Sequence, residues 1–173
     1  MHASLDHRTQ LPRPLLAFYP ALISQSDIQE TATILSPLEV IDAGNVRVTE
    51  PLSPQPDHET RNPISLEAFG ETKKIRMGEV VYARSGDKGG NGNVGFFVHE
   101  KDEYDWLCSV LTKAKVVELL GDDWREEYHL ERVEMPGIFA VHFVIYGILG
   151  SGVSSSTRVD CFGKGVADYL RSK

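Results

Sequence analysis

Proline and glycine divide this chain into two unlike parts. Eight of the nine prolines lie in residues 12–63, and thirteen of the fifteen glycines lie from Gly78 onward. Proline fixes φ and removes a backbone donor, so the first part can build little continuous helix or sheet, whereas glycine allows the tight turns of a compact fold. The reading is an extended arm and connector over residues 1–76, followed by an α+β domain over residues 77–173. A length of 173 residues fits one domain with an appended segment. Apolar residues at 41% and charged ones at 25% are ordinary globular usage, enough to bury a core. The formal charge of −7 opposes the phosphate attraction on which DNA and RNA binders depend, so nucleic acid is excluded as a partner. No apolar run approaches a membrane span, and Met1–Pro14 lacks the apolar core of a secretory signal, which predicts a cytoplasmic protein with no membrane association. Cys108 and Cys161 form no Cys-x-x-Cys, and no histidines stand at metal-ligand spacing, so neither a disulfide framework nor a metal site is expected.

In the arm, Leu15, Leu16, Phe18, Tyr19, Leu22 and Ile23 form an apolar cluster that needs covering, either by the second part or by another subunit. Asn45–Thr49 alternates like a short strand, and Pro51–Pro56 is a stiffened connector. In the second part, Glu79–Arg84 and Val94–His99 are β-rich runs flanking a glycine-rich stretch. Apolar spacing predicts one helix over Tyr104–Leu120, with Asp102 as N-cap and Gly121 ending it. Two strands follow, Tyr128–Met135 and Phe139–Tyr146, then a loop with a short strand near Thr157–Val159 and a helix over Gly163–Arg171. The sum is an antiparallel-rich sheet with two helices on one face.

The most unusual segment runs from Arg84 to Gly95 and holds five glycines in ten residues, from Gly86 to Gly95. Either it is a binding loop, with Ser85, Gly86, Gly89, Asn91 and Asn93 approaching a ligand and Arg84 and Lys88 supplying cationic donors, or it is a long hairpin turn capped by its own Asn and Asp. It matches neither the Walker A pattern nor the dinucleotide fingerprint. Strand alternation places Tyr82 with Arg84 on one face, and His142 with Tyr146 on another. If these are the uncovered sides of one sheet, the four line a pocket with Asp87 and Lys88 at its rim, and a phenol, an imidazole and a carboxylate can move protons. The loop Gly150–Arg158 is the second candidate, in which Ser154, Ser155 and Ser156 either orient a polar substrate or satisfy their own backbone.

The order of Ala83-Arg84-Ser85-Gly86-Asp87-Lys88-Gly89 with Asn93-Val94-Gly95, then Leu119-Leu120-Gly121-Asp122, Pro136, Ala140-Val141-His142-Phe143, Gly152-Val153-Ser154-Ser155-Ser156 and Gly163-Lys164 resembles the C-terminal ferredoxin-fold domain of the acyclic terpene utilisation family. A weaker likeness extends back through Phe18–Ile23. The resemblance implies a ferredoxin-like α+β fold, a free-standing version of a tail domain, and a connection with the breakdown of branched terpenoid acyl compounds. The chain departs from the pattern where relatives carry His and this sequence has Tyr82, and where they carry His-Asp and it has Tyr146-Gly147.

Residues and resemblance together predict an isomerase, cyclase or lyase without a cofactor, working by acid–base chemistry on a small apolar acyl, terpenoid or polyketide-like molecule. Arg84 and Lys88 bind or polarise its oxygen, Asp87 is the base or orients Lys88, and His142, Tyr82 or Tyr146 returns the proton. The alternative is an accessory subunit that binds an enzyme partner. Under either reading an open sheet face and an apolar arm call for a homo-oligomer.

Overall fold

The computed structural model describes residues 11, 12, 14, 21–44 and 50–173. The expected strand at Asn45–Thr49, and Leu15, Leu16, Phe18 and Tyr19 of the apolar cluster, lie outside the described residues; Leu22 and Ile23 are exposed. Two compact units are present, one within Tyr19–Gln55 and one that holds Pro56–Lys173. Among the described residues no helix is long and apolar enough to cross a membrane.

In the smaller unit Thr31–Leu35 (β1) and Leu38–Asp42 (β2) form an antiparallel hairpin, paired from Thr31↔Asp42 to Leu35↔Leu38 about a cis Ser36–Pro37 bond. This hairpin lies where prolines on either side predict an extended arm. Pro37 occupies the turn and leaves both strands free of proline, so their β-branched residues can pair. Pro51–Pro56 has no regular secondary structure, as a proline-stiffened connector should.

The larger unit is an α+β layer pair. Its elements are Tyr82–Lys88 (β3), Asn91–Phe97 (β4), helices Lys101–Val110 (α1) and Lys113–Leu120 (α2), strands His129–Met135 (β5) and Ala140–Tyr146 (β6), and helix Val166–Arg171 (α3). The sheet order is β3-β4-β6-β5, antiparallel throughout. β4 and β5 therefore run in the same direction with β6 inserted between them and α1–α2 joining them. This is the split βαβ unit of ferredoxin-like folds, here entered from a different strand so that the series reads ββααββα. Val94, Phe96, Val141, Phe143 and Ile145 alternate onto the helix-covered face and pack with Leu107, Leu111, Val116, Leu120 and Leu170. Phe96 and Phe143 meet edge to face at 6.1 Å.

The glycine-rich stretch is a β-hairpin and not a loop. Strand pairing runs without interruption from Tyr82↔Phe97 to Lys88↔Asn91, leaving only Gly89 and Gly90 as the turn. Gly89 takes φ 67°, the sign that the first position of a tight II′ hairpin turn requires. Gly90 is needed for a different reason: a Cβ there would lie 2.3 Å from the Gly150 carbonyl oxygen. Glycine, asparagine and aspartate are poor strand formers on average, so local composition misreads a hairpin whose glycines serve a loop packed against it.

The single helix expected over Tyr104–Leu120 is two helices, and Arg132 explains the break. A continuous helix would pair the Cys108 and Leu111 carbonyls with the amides of Thr112 and Lys115. Instead those carbonyls accept from the Arg132 guanidinium, both at 3.0 Å, while the Lys115 amide donates to the Thr112 hydroxyl, which N-caps α2. The first helix begins at Lys101, earlier than an Asp102 cap would place it; the Glu103 carboxylate accepts from the His99 and Glu100 amides at 3.1 Å. Gly121 ends α2 as expected, with φ 55°. Residues Thr157–Val159 form bends and turns where a short strand was expected, and α3 starts at Val166, three residues later than anticipated.

Candidate functional site on the open sheet face

The helices cover one side of the sheet, and strand alternation gives the other side a regular pattern. One row across it is Arg84, Gly95, His142, Val133, and the next is Gly86, Asn93, Val144, Glu131. Arg84 and His142 thus rise from strands two apart, about 10 Å between backbones, with side-chain-free Gly95 between them. Gly86 and Gly95 make a low floor there. A cleft of about 360 Å³ occupies it, lined by Arg84, Ser85, Gly86, Asp87, Lys88, Asn93, Gly95, His142 and Lys164.

Arg84 and Lys88 have no hydrogen-bond or ion-pair partner among the described residues, which leaves both cations available to an anion in the cleft. Asp87 alternates toward the opposite side of edge strand β3, yet it is among the residues that line the cleft. His142 is half-buried, and its Nε2 lies 3.4 Å from the Asn93 amide nitrogen. With that amide donating, Nε2 accepts, and the neutral ring carries its proton on Nδ1. Burial is the main cause that holds His142 below the ordinary histidine pKa, and the Lys88 charge adds to it. An imidazole that stays unprotonated near neutrality can act as a base.

The sign of the resulting pH dependence follows. The unfolded chain takes up the His142 proton more readily than the folded one, so stability is lost as pH falls from the ordinary histidine value toward the lower folded one. Lys88→Gln removes one of the two causes and is expected to raise the His142 midpoint, read from the ring proton shifts in an NMR pH titration. An unmoved midpoint would show that Lys88 does not act on this ring.

The remaining expected site residues are placed elsewhere or, in the case of Ser85, line the cleft with the hydroxyl already engaged. Tyr82 and Tyr146 share the open face but stand at opposite ends of it, outside the cleft. Tyr82 stacks on Phe97 at 5.6 Å and meets His99 at 4.9 Å. The Tyr146 hydroxyl donates to Glu131 at 2.9 Å, a bond that raises its pKa and keeps its proton in place. Ser85 is buried: its hydroxyl donates to the Lys164 carbonyl at 3.1 Å and accepts the Ala167 amide at 2.9 Å. Asn91 accepts from the Gly147 amide at 3.0 Å, and Gly89 is in the turn. Ser155 and Ser156 serve the backbone of their own loop, the first donating to the Ser151 carbonyl and the second accepting from the Arg158 amide. Ser154 belongs to the same loop, and none of the three lines the cleft. Lys164, absent from the expected site, lines it; the only sequence signal for Lys164 is its pairing with Gly163.

A larger cleft of about 630 Å³ is lined by the end of α2, residues 122–128, the 147–165 loop and α3, with Leu120, Tyr128, Ile148, Leu149 and Val166 among its lining residues. Its two cations are already engaged, Arg158 with the Ile148 carbonyl and Arg125 with Glu127 at 3.7 Å, and its Asp160 accepts the Lys164 and Gly165 amides. The unpaired cations are on the sheet, so the smaller cleft is the stronger candidate.

The AtuA ferredoxin-like domain model matches residues 75–173, more than half of the chain and all of the sheet that bears this cleft. The chain belongs to the AtuA ferredoxin-like domain family. No curated protein and no solved structure matches it significantly. Membership covers every element of this AtuA ferredoxin-like domain from β3 to α3 and ends upstream at residue 75, so Asp57, His58 and Thr60, which bond to Arg132, precede the matched region.

Proposed function

We propose that this protein performs acid–base chemistry on a small acyl-type molecule, isomerising, cyclising or cleaving it, with the reacting group over Gly95. Arg84 and Lys88 hold the substrate's oxyanion and favour developing enolate charge. His142 Nε2 gives up the Asn93 amide, removes a proton from carbon and returns it to a neighbouring position, and Asp87 orients Lys88 at the rim. The single supporting observation is the row Arg84–Gly95–His142: an unpaired cation and a half-buried neutral imidazole on either side of bare backbone. Val133 and Val144 beside it supply an apolar surface for a hydrocarbon chain.

Deuterium exchange tests this whatever the final product is. Branched unsaturated acyl carboxylates, 3-methylbut-2-enoate and its dicarboxylate counterpart 3-methylpent-2-enedioate first, are incubated with the protein in heavy water. Deuterium is expected to enter carbons flanking the double bond faster than in buffer. Exchange at the buffer rate across the panel would count against the enzyme reading.

A second reading, assembly with another copy or an enzyme partner, is favoured by the far row of the open face, where Tyr82, Phe97 and Met135 are exposed. Sheet-on-sheet pairing of two chains would cover this row. Light scattering at micromolar concentration is then expected to give at least twice the mass of one chain; the mass of one chain would reject it.

A further inference from the structure

We infer that the anion taken by this cleft carries two negative charges, and that Lys164 is the residue that selects it over a monoanion. The inference rests on the reading of the cleft given above and adds a ligand class and a specificity residue to it.

Lys164 is mounted rigidly from both directions. Its carbonyl accepts the Ser85 hydroxyl at 3.1 Å, its amide donates to Asp160 Oδ1 at 2.9 Å, and the next amide, of Gly165, donates to Asp160 Oδ2 at 2.9 Å. Gly163 lets the segment approach β3 closely: with φ 62°, a Cβ there would lie 3.2 Å from the Gly86 carbonyl oxygen. The backbone is fixed, Lys164 lines the cleft, and its ammonium makes no hydrogen bond or ion pair among the described residues. Ser85 thereby acquires a function: it ties the loop carrying Lys164 to the strand carrying Arg84 and Lys88.

The charges then sum. Arg84, Lys88 and Lys164 face one carboxylate, Asp87, so the lining carries two net positive charges in a chain whose formal charge is −7. A monoanion leaves one of them unmatched; a dianion neutralises both. A phosphomonoester ionised above its second pKa of about 6 has this charge and three acceptor oxygens for three donors. A dicarboxylate has the same charge spread over two groups.

The test is a set of amide NMR titrations of the full chain with methyl phosphate, malonate and acetate at equal ionic strength, above the phosphate pKa. The dianions are expected to shift the amides of residues 84–88 and 163–165 and to bind about tenfold or more tightly than acetate. Lys164→Gln is expected to weaken the dianions about tenfold, to near acetate's affinity, with a smaller loss for acetate, and Lys164→Arg to retain the preference. The tighter of methyl phosphate and malonate identifies the source of the charge. If wild type binds all three equally, or if Lys164→Gln keeps the preference, the inference is overturned and a simple anion site remains. If none of the three shifts any amide, the anion-binding basis of the proposed function fails as well.

Discussion

Replacing Arg132 by Met is expected to lower the unfolding free energy by about 3–5 kcal/mol, a large fraction of the stability of an ordinary domain. Arg132 is 1% exposed, and its guanidinium donates to the Leu111, Cys108 and His58 carbonyls, the Thr60 hydroxyl and the Glu134 carboxylate. It does two tasks that no neighbour can take over. It satisfies the carbonyls left open where α1 ends, and it fastens residues 57–60 along edge strand β5, where the His58 amide donates to the Arg132 carbonyl and Asp57 accepts its amide. Methionine fills similar volume but leaves the Leu111 and His58 carbonyls and the Glu134 carboxylate, 11% exposed, without the guanidinium, and the Cys108 carbonyl with the Thr60 hydroxyl alone. Arg132→Lys keeps the charge but not the planar fork, and is expected to recover only part of the loss. Adding Glu134→Leu to Arg132→Met is expected to restore a further part, because the buried carboxylate is then gone. Urea unfolding followed by circular dichroism measures all three. A midpoint in Arg132→Met indistinguishable from wild type would refute the account of the helix break.

The largest functional effect is expected at His142. If its imidazole carries the proton, His142→Gln should slow deuterium entry by about 10²–10⁴-fold while the fold, monitored by its amide spectrum, is unchanged. Glutamine preserves a polar group opposite Asn93 but cannot act as a base. The pH profile separates this role from a structural one. The wild-type rate should fall as pH drops through the lowered His142 pKa, because the charged ring has lost its acceptor, and the falling limb should move to higher pH in Lys88→Gln. Exchange in His142→Gln at the wild-type rate would remove His142 from the mechanism and leave the cleft as a binding site alone.

Much of the architecture was legible in the sequence. The alternation in Ala140–Tyr146, the helical spacing of Leu107 and Leu111, and the position of Gly121 are local patterns, because the period of a buried face is written along the chain itself; beyond the helix break the same period pointed to Ala114 and Val117, whereas Val116 and Leu120 are the buried residues. The same periodicity placed Arg84 and His142 on faces that turned out to be one face. It could not measure separation along the strands, so Tyr82 and Tyr146 were expected in the same pocket but lie outside it, at opposite ends of the open face. The glycines misled for a related reason. Local composition reports what a residue permits, whereas Gly90 and Gly163 answer to backbones that reach them from residues 150 and 86.

The sequence by itself determined the α+β class, the core faces of the strands, the family to which residues 75–173 belong, and the cationic character of the segment from Arg84 to Lys88. Tertiary structure alone decided that this segment is a hairpin, that a buried Arg132 divides one helix into two, and that Lys164 joins Arg84, Lys88 and His142 around one cleft. The physical reason is the range of the interactions. Periodicity and capping act within a few residues and leave a trace in sequence, while strand register, close backbone approach and the meeting of unpaired charges are set by partners tens of residues away.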